Sequence, residues 1–430
     1  MGTDVAVIGG GWAGLSAALA LADAGVKVTV FEASSQLGGR ARRVTHQGVA
    51  LDNGQHLLIG AYRDTIALIG KVHDGRPPLI RTPLRLHVGR DLELRCPAWP
   101  APLHLAAGLL GASGLSWGDR MAAASMMLRL RMGGYAVPPG WSVARLLDHY
   151  RQTPRLRRLL WEPLCIAALN TGTAAADAQV FATVLGHSLG GAADAADLVY
   201  PATDLGALFP DAAAQRIEQL GGEILPGTAV RHVSRDTQGF RLELDGTSPR
   251  RADHVVWATD PARFAGPTAD LPELSQTREQ ISTFAYLPIV TVYLHYPDPL
   301  PFDGPMLGDA DGPVQWFFDR GQLCGQTGWV GAVCSAAEAW RGVDRDAIGA
   351  LAANQVKTLF RTGQTPDQTL VITEKRATFA CTPGLVRPTR RTALPRFHLA
   401  GDYTASPYPA TLEAAVQSGL ECAAAILEDA

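Results

Sequence analysis

The chain has 430 residues, a formal net charge of -3 and 18% charged residues, so it offers neither a basic nucleic-acid surface nor an acidic tail. That length suits two or three domains around a large core. Six scattered cysteines (Cys96, Cys165, Cys324, Cys334, Cys381, Cys422) lack CxxC spacing, which argues against a disulfide framework or a zinc site and for a reducing compartment. The first strand-like run opens at Val5 and leaves no room for a signal peptide, so the expected localisation is cytoplasmic, with no metal.

In chain order, Val5 to Ile8 form a short apolar strand, followed by Gly9-Gly10-Gly11-Trp12-Ala13-Gly14. Leu15, Ala18, Leu19 and Ala22 then recur at helical spacing, Gly25 stands at the C-cap position, and Val28 to Glu32 form a second strand ending in a carboxylate. This is the βαβ unit that holds the ADP half of a dinucleotide. Gly9 allows the tight turn, Gly11 lets the backbone approach a pyrophosphate, and Gly14 lets helix and strand pack closely. The helix N-terminus favours the phosphates, and Glu32 is placed to accept hydrogen bonds from the ribose hydroxyls. A glycine triplet alone is a weak signal; the strand and helix flanking this one make it specific.

Further on, Leu37-Gly38-Gly39-Arg40 adds a second glycine pair with a cation. Asp52-Asn53-Gly54 reads either as a tight turn or, with Gln55 and His56, as a chemical site. Residues 71–200 are rich in Ala, Leu and Met and read as helical. Between Arg95 and Asp119 there is no formal charge, and Trp99, Leu103, Leu105, Leu109, Leu110, Leu115 and Trp117 crowd together. Pro97, Pro100 and Pro102 argue against a spanning helix of roughly 20 residues. The segment is then either a buried helix with loops or a peripheral membrane contact, with Arg120, Arg129 and Arg131 suited to anionic headgroups.

Gly186-His187-Ser188-Leu189-Gly190 matches the GxSxG nucleophile elbow, with Asp402 or His398 available downstream. The preceding residues lack a hydrolase's alternating strands and helices, so a helix turn of small residues is the reading. Residues 205–262 hold a helix-like run and then strands near Glu223, Val230, Phe240 and His254, with turn signals such as Asp245-Gly246. Residues 284–296, 314–318, 329–334 and 369–379 are strand-like, and 337–360 mostly helical. Trp316, Phe317, Phe318 and Tyr286 are candidates to line an apolar tunnel. Finally, Phe397 to Leu399 run into Ala400-Gly401-Asp402, and a helix begins beyond Pro409-Ala410-Thr411-Leu412.

The glycine triplet, Gly38-Gly39-Arg40 and Gly401-Asp402 together resemble the FAD enzymes of the amine oxidase and phytoene desaturase superfamily. The resemblance implies FAD, bound through Gly9, Gly11, Gly14, Glu32, Gly39, Arg40, Gly54, Gln55, the backbone of Val230, Gly401, Asp402 and Leu412. No cysteine lies near Gly401-Asp402, so the flavin is expected to be non-covalent. Ala258-Thr259-Asp260 departs from the Ala-Thr-Gly of many relatives. The implied fold is α/β: a Rossmann-type FAD-binding domain (1–70, 205–265, 396–430), amine oxidase/GDI-like, interleaved with an α+β substrate domain (71–204, 266–395). Prenyl-binding GDP-dissociation inhibitors share such a fold without using flavin, and are the non-enzymatic alternative.

Leu51-Asp52-Asn53-Gly54-Gln55-His56 and Trp161-Glu162-Pro163-Leu164 more closely resemble the squalene-associated FAD desaturases. That likeness implies reductive removal of the hydroxyl of hydroxysqualene, a hydrophobic isoprenoid, with carotenoid-type desaturation and amine oxidation as rivals. His56 would be the proton donor and Asp52 its orienter, with Tyr403 and Asp319-Arg320 as lesser candidates. Gly325-Gln326-Thr327-Gly328 has the wrong spacing for a second nucleotide turn, so reducing electrons would come from an external donor.

Overall fold

The computed structural model describes residues 3–236 and 239–429. Its central sheet is parallel, in the order Glu223–Pro226, Lys27–Glu32, Asp4–Ile8, His254–Trp257, Phe397–Leu399. These strands are apolar in unbroken runs because both faces are covered. Alternation then divides the side chains: Val5, Val7, Val28, Val30 and Val256 pack on the helical side, and Ala6, Ile8, Phe31, Val255 and Trp257 on the other. On the helical side Trp12–Asp23 packs against Leu412–Asp429 and Pro210–Gln219. Three far-separated parts of the chain thus complete one nucleotide-binding architecture.

The second large sheet has seven strands, in the order Gln368–Phe379, Tyr286–His295, Trp329–Cys334, Trp316–Asp319, Met306–Gly308, Arg85–Val88, Leu92–Arg95. The strands expected in the second half of the chain lie within a few residues of their sequence-derived bounds. The helix expected over 337–360 is a 3-10 turn at Ala337–Trp340 followed by a helix at Arg345–Phe360. Residues 71–200 are not uniformly helical: Leu79–Thr82, Arg85–Val88, Leu92–Arg95 and Leu198–Pro201 are strands. Arg85-Leu86-His87-Val88 and Leu92-Glu93-Leu94-Arg95 alternate in and out, a two-residue period that the Ala/Leu-rich composition of the whole stretch conceals. The helices of this region include Leu103–Gly111, Trp117–Met132, Glu162–Leu169 and Ala178–Ser188.

At the amino end of the parallel sheet, the rings of His254 and His398 stack at 6.1 Å and both are buried. Neither ring nitrogen of His398 has a partner among the described residues. Burial, and secondarily the neighbouring His254, lowers the pKa of His398 to about 4. The unfolded chain therefore binds more protons than the native one between pH 6.5 and about 4. Native stability should be intact above this window and fall within it on acidification, by up to about 3 kcal/mol for this group. Thermal melts from pH 7.5 to 4.5 should show a smaller decline for His398→Phe than for the unsubstituted chain.

Candidate active site

A cavity of about 1480 Å³ opens at the carboxyl ends of the parallel strands, where such sheets bind ligands. Its polar end is built from the glycine turn. Gly9 has φ +116°, and a Cβ there would lie 2.5 Å from the Ala258 carbonyl oxygen. A Cβ on Gly14 would lie 2.0 Å from the Gly9 carbonyl oxygen. Gly14 is therefore behind the cavity wall, where it sets helix–strand packing, whereas Gly9 and Gly11 line the cavity itself. The helix Trp12–Asp23 starts with no side-chain cap and no acidic residue in its first turn. Its free amides thus suit a pyrophosphate.

Glu32, Gly39, Arg40, Gly54, Gln55, His56, Val230, Gly401, Asp402 and Leu412 all line the same cavity. The Glu32 carboxylate accepts from the Gly10 amide at 2.7 Å and the Ser34 amide at 2.8 Å, which fixes it at the end of its strand. Arg40 Nη2 pairs with Asp402 Oδ1 at 2.6 Å, joining the second glycine turn to the carboxyl-terminal motif. Leu412 opens the last helix, where Thr411 Oγ1 accepts from the Ala414 amide. Asp260 accepts from the Ala262 amide at 2.9 Å and pairs with Arg376 at 2.9 Å. The side chain that departs from the family's Ala-Thr-Gly pattern thus caps the following turn and holds a cation.

The loop from Asp52 to His56 divides into two jobs. Asp52 is buried outside the cavity; its oxygens accept from the Leu205 amide at 2.7 Å and Arg320 Nη1 at 3.0 Å. It makes no hydrogen bond to His56, so the expectation that it orients that ring is corrected: both its oxygens are committed elsewhere. Burial raises the Asp52 pKa, and the Arg320 guanidinium and Leu205 amide oppose that shift. Arg320, wholly inaccessible to solvent, also donates to Gln55 Oε1 at 2.6 Å and Gln326 Oε1 at 2.6 Å, and lies 5.4 Å over the Tyr293 ring. His56 does face the cavity, and its Nδ1 meets the Gly54 carbonyl oxygen at 2.6 Å. A carbonyl only accepts, so Nδ1 carries the proton and Nε2 is the nitrogen left for chemistry. Burial lowers the His56 pKa, opposed by the Gly54 hydrogen bond and by Asp52.

Beyond the loop the cavity turns apolar, lined by Leu86, Leu105, Leu109, Met127, Leu160, Trp161, Leu164 and Phe181 among others. Of the aromatic candidates, Trp316 and Phe318 line it. Strand alternation sends Phe317 into the separate core beneath Arg345–Phe360, and Tyr286 also stands outside the lining, so neither is a tunnel residue. Tyr403 lines the polar end with its hydroxyl unpartnered, and burial raises its pKa. Asp319 caps the short helix Arg320–Cys324. The cavity lining contains no cysteine.

The GxSxG segment ends the helix Ala178–Ser188, where Ser188 Oγ donates back to the Val184 carbonyl at 2.6 Å. Its glycines serve packing. A Cβ on Gly186 would come within 3.0 Å of the Tyr135 ring, and one on Gly190 within 2.2 Å of its hydroxyl. Tyr135, seated there, forms part of the cavity wall. The sequence signal was real, but it specified a close approach of backbone to an aromatic ring.

Residues 12–427 match the family model for flavin containing amine oxidoreductase. The chain belongs to that family. It is 25% identical to a hydroxysqualene dehydroxylase of Sinorhizobium fredii, covering 97% of each chain. It is 27% identical to one of Rhodopseudomonas palustris, covering 99% of each. An oxidoreductase structure from Methanosarcina mazei superposes with a TM-score of 0.77 at 17% identity, over 99% of this chain and 100% of that one. The protein is thus an FAD-dependent oxidoreductase of the flavin containing amine oxidoreductase family, with the α/β fold of that group.

Two substitutions test the framework around the cavity. Arg320→Met leaves the Asp52 carboxylate buried without its cation, and should cost about 3–5 kcal/mol, read as a lowered denaturation midpoint. Gly190→Ala should cost about 1–3 kcal/mol through displacement of Tyr135, seen as a lower melting temperature with the flavin retained.

Proposed function

We propose that this flavoenzyme removes the hydroxyl of hydroxysqualene reductively to give squalene. The observation that carries the reading is the single cavity joining the nucleotide turn to an apolar branch without carboxylates. The lining carboxylates Glu32, Asp260, Glu374 and Asp402 all cluster at the polar end, where Asp260 and Asp402 are paired to arginines and Glu374 accepts from Asn53. A long hydrocarbon matches the apolar branch; an ammonium group would find no counter-charge there. The volume exceeds the roughly 300–1,000 Å³ usual for one small ligand, consistent with a dinucleotide and an elongated substrate together. The similarity to dehydroxylases over nearly the full chain supports the same reading.

Within this reading, the residues that would hold FAD are Gly9, Gly11, Glu32, Gly39, Arg40, Gly54, Gln55, Val230, Gly401, Asp402 and Leu412. Bound FAD, once reduced by an external donor, supplies the hydride. His56 takes up a proton at Nε2 and delivers it to the allylic hydroxyl. Breaking the C–O bond would release that oxygen as water, and the allylic carbon would take up, with its electron pair, the hydride that reduced flavin would supply. Arg320 and Gln55 position the loop that carries His56, and the apolar lining excludes water from the cation formed on the substrate.

The deciding experiment mixes anaerobically reduced protein with hydroxysqualene and follows the flavin band and squalene together. Oxidised flavin appearing in step with squalene is expected. A flavin that stays reduced over untouched substrate would turn the assignment to isoprenoid desaturation by the oxidised enzyme. Since burial lowers the His56 pKa, its protonated form becomes the major one only at a pH below the ordinary value near 6.5. The single-turnover rate should therefore climb as pH falls below 6.5. His56→Gln should lower it about 100-fold and abolish that slope with flavin content unchanged.

A further inference from the structure

Among the described residues, large exposed apolar side chains gather in residues 99–132: Trp99, Leu103, Leu110, Trp117, Met121, Leu128 and Met132. Trp117 is 66% exposed and Met132 79%, values far from those of a packed surface. Trp117, Met121, Leu128 and Met132 stand at i, i+4, i+11 and i+15 of the helix Trp117–Met132, within about 60° of one another. Leu103 and Leu110 share one side of the neighbouring helix Leu103–Gly111. On their inner sides Leu105, Leu109, Ala123 and Met127 line the cavity, which Leu128 and Arg131 also border. An apolar stripe belongs in a core or against lipid, and here the inner side already has its core, so the exposed stripe lacks a partner within the chain.

The charges complete the pattern. Residues 96–132 contain Arg120, Arg129 and Arg131 and one carboxylate, Asp119. Asp119 is buried, accepting from Ser116 in a capping box and from Thr153. Arg120 and Arg131 fall on one flank of the exposed stripe and Arg129 on the other, with Arg120 stacked 5.0 Å over Trp117. Long cationic side chains bordering an apolar stripe put their stems among acyl chains and their heads among phosphates. No described helix is long and apolar enough to cross a membrane.

We infer that the outer side of these two helices docks on an anionic lipid bilayer, so that the apolar branch of the cavity lies directly over the source of its substrate. This inference rests on the proposed function for the identity of that substrate, but the docking itself is measured without it. The holoenzyme is centrifuged with sucrose-loaded vesicles of phosphatidylcholine, with and without 30 mol% phosphatidylglycerol (roughly the anionic content at which basic segments respond). Retention on the anionic vesicles, weakened by added salt, is expected. Trp117→Ser with Met121→Ser should reduce partitioning at least about tenfold while flavin content and melting temperature hold. Should that variant fold poorly, the salt and lipid dependence of the unsubstituted protein decides the matter alone.

Absence of binding to either vesicle overturns the inference. So does concentration-dependent dimerisation, by analytical ultracentrifugation, that the paired substitution abolishes while vesicles capture nothing; the face would then be a contact between two copies. Loss of hydroxysqualene turnover with vesicle binding intact would instead remove the substrate assignment and leave the docking surface standing.

Discussion

Arg320 and Asp52 are 268 positions apart and meet with neither reachable by solvent. Desolvating two such charges is costly, and further hydrogen bonds offset part of that cost although Arg320 Nη2 has no partner among the described residues. Here Arg320 also serves Gln55 and Gln326, Gln326 reaches the Ala50 carbonyl, and Tyr293 donates its hydroxyl to the Asp52 carbonyl. The network fastens the loop carrying Gln55 and His56 to the strand Tyr286–His295 and to the turn after Trp316–Asp319. The pair's value is thus geometric. It fixes where the nucleotide-binding part and the seven-stranded sheet meet, and the cavity lies along that seam.

Because the seam is rigid, chemistry and containment can be allotted to different residues. Of the loop's titratable side chains, His56 is the one that lines the cavity, with its Nδ1 tied to backbone. The carboxylates at the polar end are paired or hydrogen-bonded, so a neutral hydrocarbon passing them meets few unbalanced charges. The apolar walls come from the helices and from alternate residues of Trp316–Asp319. One strand therefore contributes to the cavity with Trp316 and Phe318, and to a different core with Phe317.

Legibility in the sequence followed the range of the interactions. The nucleotide turn was readable because its chemistry is local: Gly9, Gly11, Gly14 and Glu32 are all placed by one strand, one turn and one helix. The lining positions of Gly39, Arg40, Gly401 and Asp402 were suggested by likeness, but the Arg40–Asp402 pair joins residues 362 apart and has no sequence signature. Asp52 was misread for the same reason: its partners, Leu205 and Arg320, are remote, so a turn-like Asp-Asn-Gly beside a histidine looked like a catalytic couple. The short strands between residues 79 and 95 were lost in a composition dominated by Ala and Leu. Gly186 and Gly190 carried a true spacing signal whose cause, the Tyr135 ring, lies some fifty residues earlier.

The order in which the chain contributes its strands has a consequence for biogenesis. In chain order the parallel sheet begins with Asp4–Ile8 and ends with Phe397–Leu399, and the last residues to line the cavity are Leu412 and Ala415. During vectorial synthesis the glycine turn and its neighbour strand Lys27–Glu32 emerge first, yet the strand on the other side, His254–Trp257, comes only after the chain's first half. Long-range closure of this kind is slow and leaves apolar edges uncovered in the meantime. The uncovered edge is that of His254–Trp257, which waits for Phe397–Leu399 through some 140 intervening residues. The polar end of the cavity is therefore complete only once residues 401–415 have been made.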